Sequence, residues 1–250
     1  MGRRPENLLL EALPEYERAR LDPFLEPVEV ELMHVFIEPN EPIDHMFFPY
    51  DAVTSTLQEL ADGSTIETGL MGIEGMIGIQ YWLGVATTTT RTLVQVGGSG
   101  HVMSSKNFER EVMSKPESPL NGLISRYTHA FLCMTSQVAA CNRLHTIDQR
   151  MCRWLKLIHN RVRRDEFPMR QEFMAQMLGV QRPTLSTAAN ILQKAGLITY
   201  SRGNLRVLDP DGLTAGPCEC LEIMESQFDR VFDRPWRRMA EEEDAEAEPV

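Results

Sequence analysis

The side chains whose types and spacing suit chemistry are concentrated in Met169–Leu208, and the chemistry is recognition of a polyanion. Arg182, Thr184, Ser186, Thr187 and Asn190 alternate with Leu185, Ala188, Ala189 and Leu192 at helical spacing, so one face packs and the other presents hydrogen-bonding groups. A guanidinium at the front of such a helix can bond two acceptors on a guanine edge, and hydroxyls behind it reach neighbouring bases or phosphates. Gln181 joins this set from the preceding position, while Arg170, Gln171 and Arg202 suit phosphate anchoring. No Gly-x-Ser-x-Gly, His-Glu-x-x-His or phosphate-loop motif occurs, and no titratable pair is tied by spacing, so a protein that is not an enzyme is expected, with no catalytic residue.

The elements that must hold these groups are legible around them. Phe173, Met174, Met177 and Leu178 mark a first short amphipathic helix, and Gly179 sits where the chain reverses. Pro183 suits the first turn of a second helix, where a missing N–H costs nothing. Leu197–Tyr200 and Leu205–Leu208 then flank Ser201-Arg202-Gly203-Asn204, a four-residue loop expected to close a hairpin wing with Arg202 at its tip. The sum is a winged helix-turn-helix; an ordinary three-helix packing unit is the plainer alternative.

Charge supports the first reading. The chain has 250 residues and a net charge of -11, yet Arg143–Arg206 holds 12 Lys and Arg against 4 Asp and Glu, a local charge of +8. The remainder carries -19, which limits indiscriminate binding while the positive segment faces phosphate. An apolar content of 42% suffices for two domains with their own cores. No apolar run is long enough to span a membrane and no leader opens the chain, so a cytoplasmic protein is expected. The five cysteines, at 133, 141, 152, 218 and 220, form no Cys-x-x-Cys pair and no His-completed zinc spacing, and neither a metal nor a cofactor is assigned. Cys218-Glu219-Cys220 is the one thiol pair that could answer an oxidant or a soft metal.

In chain order, Asn7–Phe24 reads as a helical cap, followed from Val28 by short strands punctuated by turns, which predicts an antiparallel barrel or jelly roll. Its clearest hairpin pairs Val53–Leu60 with Thr65–Met71. Gly69–Gly84 has five glycines among apolar residues, a stretch that could cradle a small phosphate or turn a barrel corner. In Pro119–Asn142, Leu120, Ile124, Tyr127, Phe131, Met134, Val138 and Cys141 repeat at alternating spacings of four and three. That repeat predicts a homodimer seam, with packing on the chain's own barrel as the alternative. Arg143–Arg164 continues as helix, with Met151, Trp154, Leu155 and Ile158 inside and Arg150, Arg153, Lys156, Arg161, Arg163 and Arg164 outside. Cys220–Met239 can form a last helix, and Glu241–Val250 is an acidic tail expected to be disordered.

Arg170-Gln171-Glu172, Met177-Leu178-Gly179-Val180, Arg182-Pro183-Thr184-Leu185 and Ala195-Gly196-Leu197-Ile198 together resemble the C-terminal domain of the Crp/Fnr family of bacterial transcription regulators. The resemblance implies an α+β chain: an N-terminal antiparallel β-roll or jelly roll like a cyclic-nucleotide-binding domain over residues 1–118, a linking dimer helix at 119–142, a winged helix-turn-helix at 143–212, and a C-terminal helix and tail at 213–250. It implies a homodimer on a palindromic site in double-stranded DNA, RNA polymerase as a further partner if the chain activates, an unidentified small-molecule effector and no membrane. Pro183 departs from the family, where an acidic residue commonly follows the arginine. The family's cyclic-nucleotide pocket places Glu after Gly and supplies Arg for the cyclic phosphate; here Gly78 is followed by Ile79, and Thr90 stands where the Arg belongs, with Arg91 one residue away. On a strand that displacement turns the side chain to the opposite face, so binding of cyclic AMP in the usual way is not expected. The iron–sulfur members use N-terminal cysteines, and the first cysteine here is Cys133. A regulator is therefore the expected function, with a ligand-binding or scaffolding module carrying a vestigial helix-turn-helix as the rival.

Overall fold

The computed structural model describes residues 7–216, 218–237 and 239; the acidic tail lies outside them. Two short helices, α1 (Leu8–Glu11) and α2 (Glu15–Leu21), and a 3-10 turn (Asp22–Phe24) open the chain. Asn7 caps α1 and donates from Nδ2 to the carbonyls of Pro49 and Gly75, at 2.9 and 2.7 Å, which pins the helix onto the sheets behind it.

Strands β1 (Glu26–Val30), β2 (Val35–Ile37), β3 (His45–Pro49), β4 (Val53–Glu59) and β5 (Thr65–Met71) follow, then the single helical turn α3 (Ile79–Trp82) and strands β6 (Arg91–Val96) and β7 (Gly98–Ser104). They pair antiparallel throughout, in one sheet of order β1-β7-β3 and another of order β2-β6-β4-β5. Register slips in β4, at Val53/Thr54 and Thr56/Leu57, curl the second sheet. The β4–β5 hairpin is the one expected: Gly63 takes φ +80°, and Asp62 Oδ1 accepts from the backbone N–H and hydroxyl of Ser64.

After α4 (Ser105–Phe108) and a π-helical turn (Glu109–Met113), α5 (Pro119–Leu144) runs along the roll. Its repeat is satisfied inside the protomer, which corrects the dimer-seam assignment. Leu120, Ile124, Tyr127, Phe131, Met134, Val138 and Cys141 are all buried in the single chain, packed between β5, α1 and the C-terminal helix α10 (Cys220–Phe232). A heptad stripe records that one face is apolar, and the chain's own elements cover it.

The glycine-rich stretch is likewise explained by packing. A Cβ at Gly75 would lie 2.3 Å from the Tyr127 ring, and one at Gly72 would lie 2.8 Å from Arg161 Cγ. The glycines admit side chains from α5 and from the next helix, and those side chains occupy the ground where a phosphate was considered.

Helix α5 stops at Leu144, and Thr146 with Gln149 forms a capping box that starts α6 (Ile147–Val162). The basic residues of α6 expected outside are turned inward or tied to the roll. Arg150, Arg153, Lys156 and Arg161 are buried. Arg150 bonds the Leu178 carbonyl and, at 3.1 Å, Asn142 Oδ1. Arg163 stacks on Tyr50 with its guanidinium carbon 4.3 Å from the ring centre, and Arg164 donates to the Gly97 carbonyl at 3.1 Å.

Arg161 is fully buried: its Nε and Nη2 lie 2.8 and 2.6 Å from Glu74 Oε1, in the loop between β5 and α3. Phe228 and Trp236 approach it at 5.5 and 5.3 Å from their ring centres. The chain closes with β8 (Glu166–Pro168), α7 (Gln171–Met177), α8 (Arg182–Lys194), β9 (Ile198–Ser201), β10 (Asn204–Val207) and α9 (Pro210–Ala215) before α10 returns to α5 and α6. No helix among the described residues is long and apolar enough to cross a membrane.

Removing one partner of a buried ion pair strands the other charge, at a cost of about 3–5 kcal/mol, whereas apolar replacement of both is often tolerated. Glu74→Gln should therefore lower the thermal midpoint sharply, and the double variant Glu74→Leu/Arg161→Met should recover most of it, measured by circular dichroism.

Candidate nucleic-acid interface

The helix-turn-helix is built by local sterics. α7 buries Met174, Ala175 and Met177, and Gly179 takes φ +60° in the turn. α8 begins with Arg182 and Pro183 and buries Leu185, Ala188, Ala189 and Leu192, the inward face expected from the spacing. Gly196, at φ +75°, ends it.

The outer surface carries the candidate contacts. Arg170, Gln181, Arg182, Thr184, Thr187 and Arg202 are exposed, and Gln171 and Ser186 are half-buried. Ser186 Oγ donates to Gln171 Oε1 at 3.3 Å, linking α8 to the first residue of α7. Thr187 Oγ1 donates to the Pro183 carbonyl, one turn earlier in α8, at 3.1 Å. Arg182 Nη1 meets Glu172 Oε1 at 2.8 Å, with both side chains more than 60% exposed, at 62% and 63%. A pair that open to solvent stabilises little, so Glu172 orients the guanidinium without holding it from a better acceptor.

The wing differs from the expected four-residue loop. Ser201 pairs with Asn204, leaving Arg202 and Gly203 as a two-residue turn with φ of +50° and +85°, the arrangement that matches strand twist. β8 adds a third strand, pairing antiparallel with β10. Arg202 stays at the tip, and Arg206 and Lys194 add exposed positive charge nearby. This outer face, rather than α6, carries the positive field.

The unit is seated on the roll by the β4–β5 hairpin. Gln176 Nε2 donates to Thr65 Oγ1 at 2.5 Å, Ile66 lies against Gly179, and the Trp154 indole N–H donates to Glu67 Oε1 at 3.0 Å. Burial pushes the Glu67 carboxyl up to about 7, against the opposing pull of its bonds to Ser55 and Trp154 and of the Arg153 and Arg161 charges. Ser55 Oγ is 2.6 Å from Glu67 Oε2 and also meets Gln95 Oε1. One hydroxyl proton cannot serve two acceptors, so a neutral Glu67 satisfies the group.

The residues at the family's effector-pocket positions each have neighbours of their own. Gly78 takes φ +97° with Met46 packed against it, and Ile79 is buried in α3. The Thr90 hydroxyl is 3.1 Å from that of Thr88, and Arg91 Nε is held by Glu38 Oε2 at 2.9 Å on the surface.

The family model of the Crp-like helix-turn-helix domain matches residues 149–215. These residues form a Crp-like helix-turn-helix domain. The Crp-like domain and the roll together have the fold of Crp/Fnr transcription regulators, as solved structures show. The c-di-GMP responsive global regulator CLP of Xanthomonas campestris is similar at a TM-score of 0.62 and 13% identity, over 78% of this chain and 100% of that one. FixK2 from Bradyrhizobium japonicum is similar at 0.63 and 12%, over 78% and 98%. A CRP-family transcriptional regulator from Thermus thermophilus is similar at 0.59 and 14%, over 76% and 95%. No curated protein matches the chain by sequence.

Sequence reasoning singled out the Cys218 and Cys220 pair but missed the two residues that join it beside the Crp-like domain. Cys141, His145, Cys218 and Cys220 bring their ligand atoms within 4.8 Å of one another. The Cys141-x-x-x-His145 spacing on one helical face was the available signal, and the remaining pair lies more than seventy positions further on.

Glu67 also sets a pH dependence. Between the ordinary carboxyl value of 4.5 and about 7, the unfolded chain has released a proton that the folded chain still holds. Stability from this site is therefore full below that window, falls as pH rises through it and levels off above, a change on the order of 3 kcal/mol. Glu67→Gln should melt with wild type near pH 4.5 and above it at pH 8. A wild type that is the more stable at pH 8 would contradict the assignment.

Proposed function

We propose that this protein is a sequence-specific, DNA-binding transcription regulator, not an enzyme, acting in the cytoplasm as a homodimer on a palindromic site. The observation that carries this reading is the row of exposed Arg182, Thr184 and Thr187 and half-buried Ser186 on α8, flanked by Arg170, Gln171, Gln181 and the wing's Arg202, on a Crp-like helix-turn-helix domain. Arg182 reads guanine, the hydroxyls touch adjacent bases or phosphates, and Arg170 and Arg202 grip the backbone.

The dimer forms through the outer face of α5. There Gly122, Ser125, His129, Leu132, Ser136, Ala139 and Arg143 are all exposed and recur at alternating spacings of three and four. Leu132 is 58% exposed in the single chain. Small residues along a 26-residue helix let a second copy approach closely, and two-fold symmetry then places two recognition helices about one DNA turn apart. RNA polymerase is the further partner if the protein activates.

The test is selection of bound genomic fragments by the purified full chain. An enriched palindrome is expected. Arg182→Ala should then cost about 1–3 kcal/mol on that site and relax preference at one base pair, while Arg202→Ala weakens binding to all sequences and lowers the salt slope by about 1. Equal loss on cognate and random DNA for Arg182→Ala would refute base reading by this residue.

The roll does not use ordinary cyclic-AMP chemistry, because Ile79 and the Glu38-bound Arg91 offer neither the acid nor the free cation that a buried cyclic phosphate needs. Cyclic AMP should leave both the melting curve and the DNA affinity unchanged.

A further inference from the structure

We propose that Cys141, His145, Cys218 and Cys220 form a Cys₃His site for a single tetrahedral zinc ion. Cys141 lies in the last turn of α5, His145 directly follows that helix, and Cys218 and Cys220 lie at the entry to α10. The three cysteines are buried and the histidine is half-buried.

The geometry suits one ion. Cys141 Sγ is 3.5 Å from Cys218 Sγ, and Cys220 Sγ is 3.5 Å from His145 Nδ1. Zinc–sulfur bonds of about 2.3 Å place tetrahedral ligand atoms roughly 3.5–3.8 Å apart. An iron–sulfur cluster, with its ligands on different metal atoms, requires thiolates spread further.

The surroundings supply what a zinc ligand set needs. His145 directs Nδ1 at the cluster while its Nε2 meets the Glu219 carboxylate at 3.5 Å, the outer contact that fixes a ligating imidazole. Gln137 Nε2 donates to Cys220 Sγ at 3.1 Å, a bond that favours thiolate. Three thiolates and one zinc carry a net charge of -1. The buried Arg153, whose Nε makes no hydrogen bond, lies close enough to act electrostatically on Cys141 and offers the countercharge.

Without a metal, burial holds these thiols protonated and unreactive, so the cluster does not read as an exposed oxidant sensor. Bound zinc ties the end of α5, the α5–α6 corner and the start of α10 into one unit. Four protein side chains fill the ion's tetrahedral positions and leave none open to substrate, so the ion acts as a structural staple where the roll's long helix hands over to the helix-turn-helix domain.

The experiment is metal analysis of the full chain purified under reducing conditions from zinc-supplemented medium, with cobalt as a spectroscopic probe. About one zinc per chain is expected. Cobalt added to metal-free protein should give an intense sulfur-to-cobalt charge-transfer band that zinc abolishes. Cys218→Ser/Cys220→Ser should lose both signals, and Cys133→Ser should keep both. Chelation should lower the melting midpoint of wild type and leave the double variant unmoved. If the double variant does not fold, the cobalt band of wild type still decides. Metal-free wild type with no cobalt band would overturn the proposal, as would iron with acid-labile sulfide or a Cys141–Cys218 disulfide in its place.

Discussion

A guanidinium with no exposure to solvent is the constraint around which this molecule closes. Arg161 cannot be buried without a countercharge, and the countercharge is Glu74, on a loop of the roll almost ninety residues earlier. To bring them together, α6 must lie against the roll, Gly72 must have no side chain, and α10 must fold back so that Phe228 and Trp236 cover the cation. The helix-turn-helix unit is consequently packed on the roll. It does not swing from a tether, and Glu67, Ile66 and Thr65 extend the same contact.

That packing redistributes charge. The positive segment holds a local excess of +8, but four of its cations are inside and Arg163 and Arg164 are engaged by the roll. The field available to a polyanion comes from the exposed Arg170, Arg182, Lys194, Arg202 and Arg206 of the helix-turn-helix and wing. The same sequence composition therefore serves two purposes: the basic residues of α6 join domains, and those after β8 face outward.

Helix α5 shows a similar division between its faces. Its large apolar residues are enclosed by the protomer's own sheet and α10, while a parallel row that includes Gly122, Ser125, Ser136 and Ala139 faces out. Both rows obey the same alternation of three and four, because any two stripes on a straight helix must. Periodicity identifies stripes, and only the surroundings decide which one meets another chain.

What the sequence determined by itself was local. The α7–turn–α8 unit, the β4–β5 hairpin and the exposure of Arg182 and Arg202 follow from glycine and proline conformations and from apolar spacing within a dozen residues. The wing differs in its turn length and in its third strand, β8. Tertiary structure decided where charges are buried, what covers α5, why Gly69–Gly84 is rich in glycine and which cysteines meet. The partners concerned are 87 positions apart for Glu74 and Arg161 and 77 for Cys141 and Cys218. Backbone sterics act between neighbours in the chain, whereas a countercharge or a ligand set is assembled only when distant segments are brought together by the collapse of the apolar core.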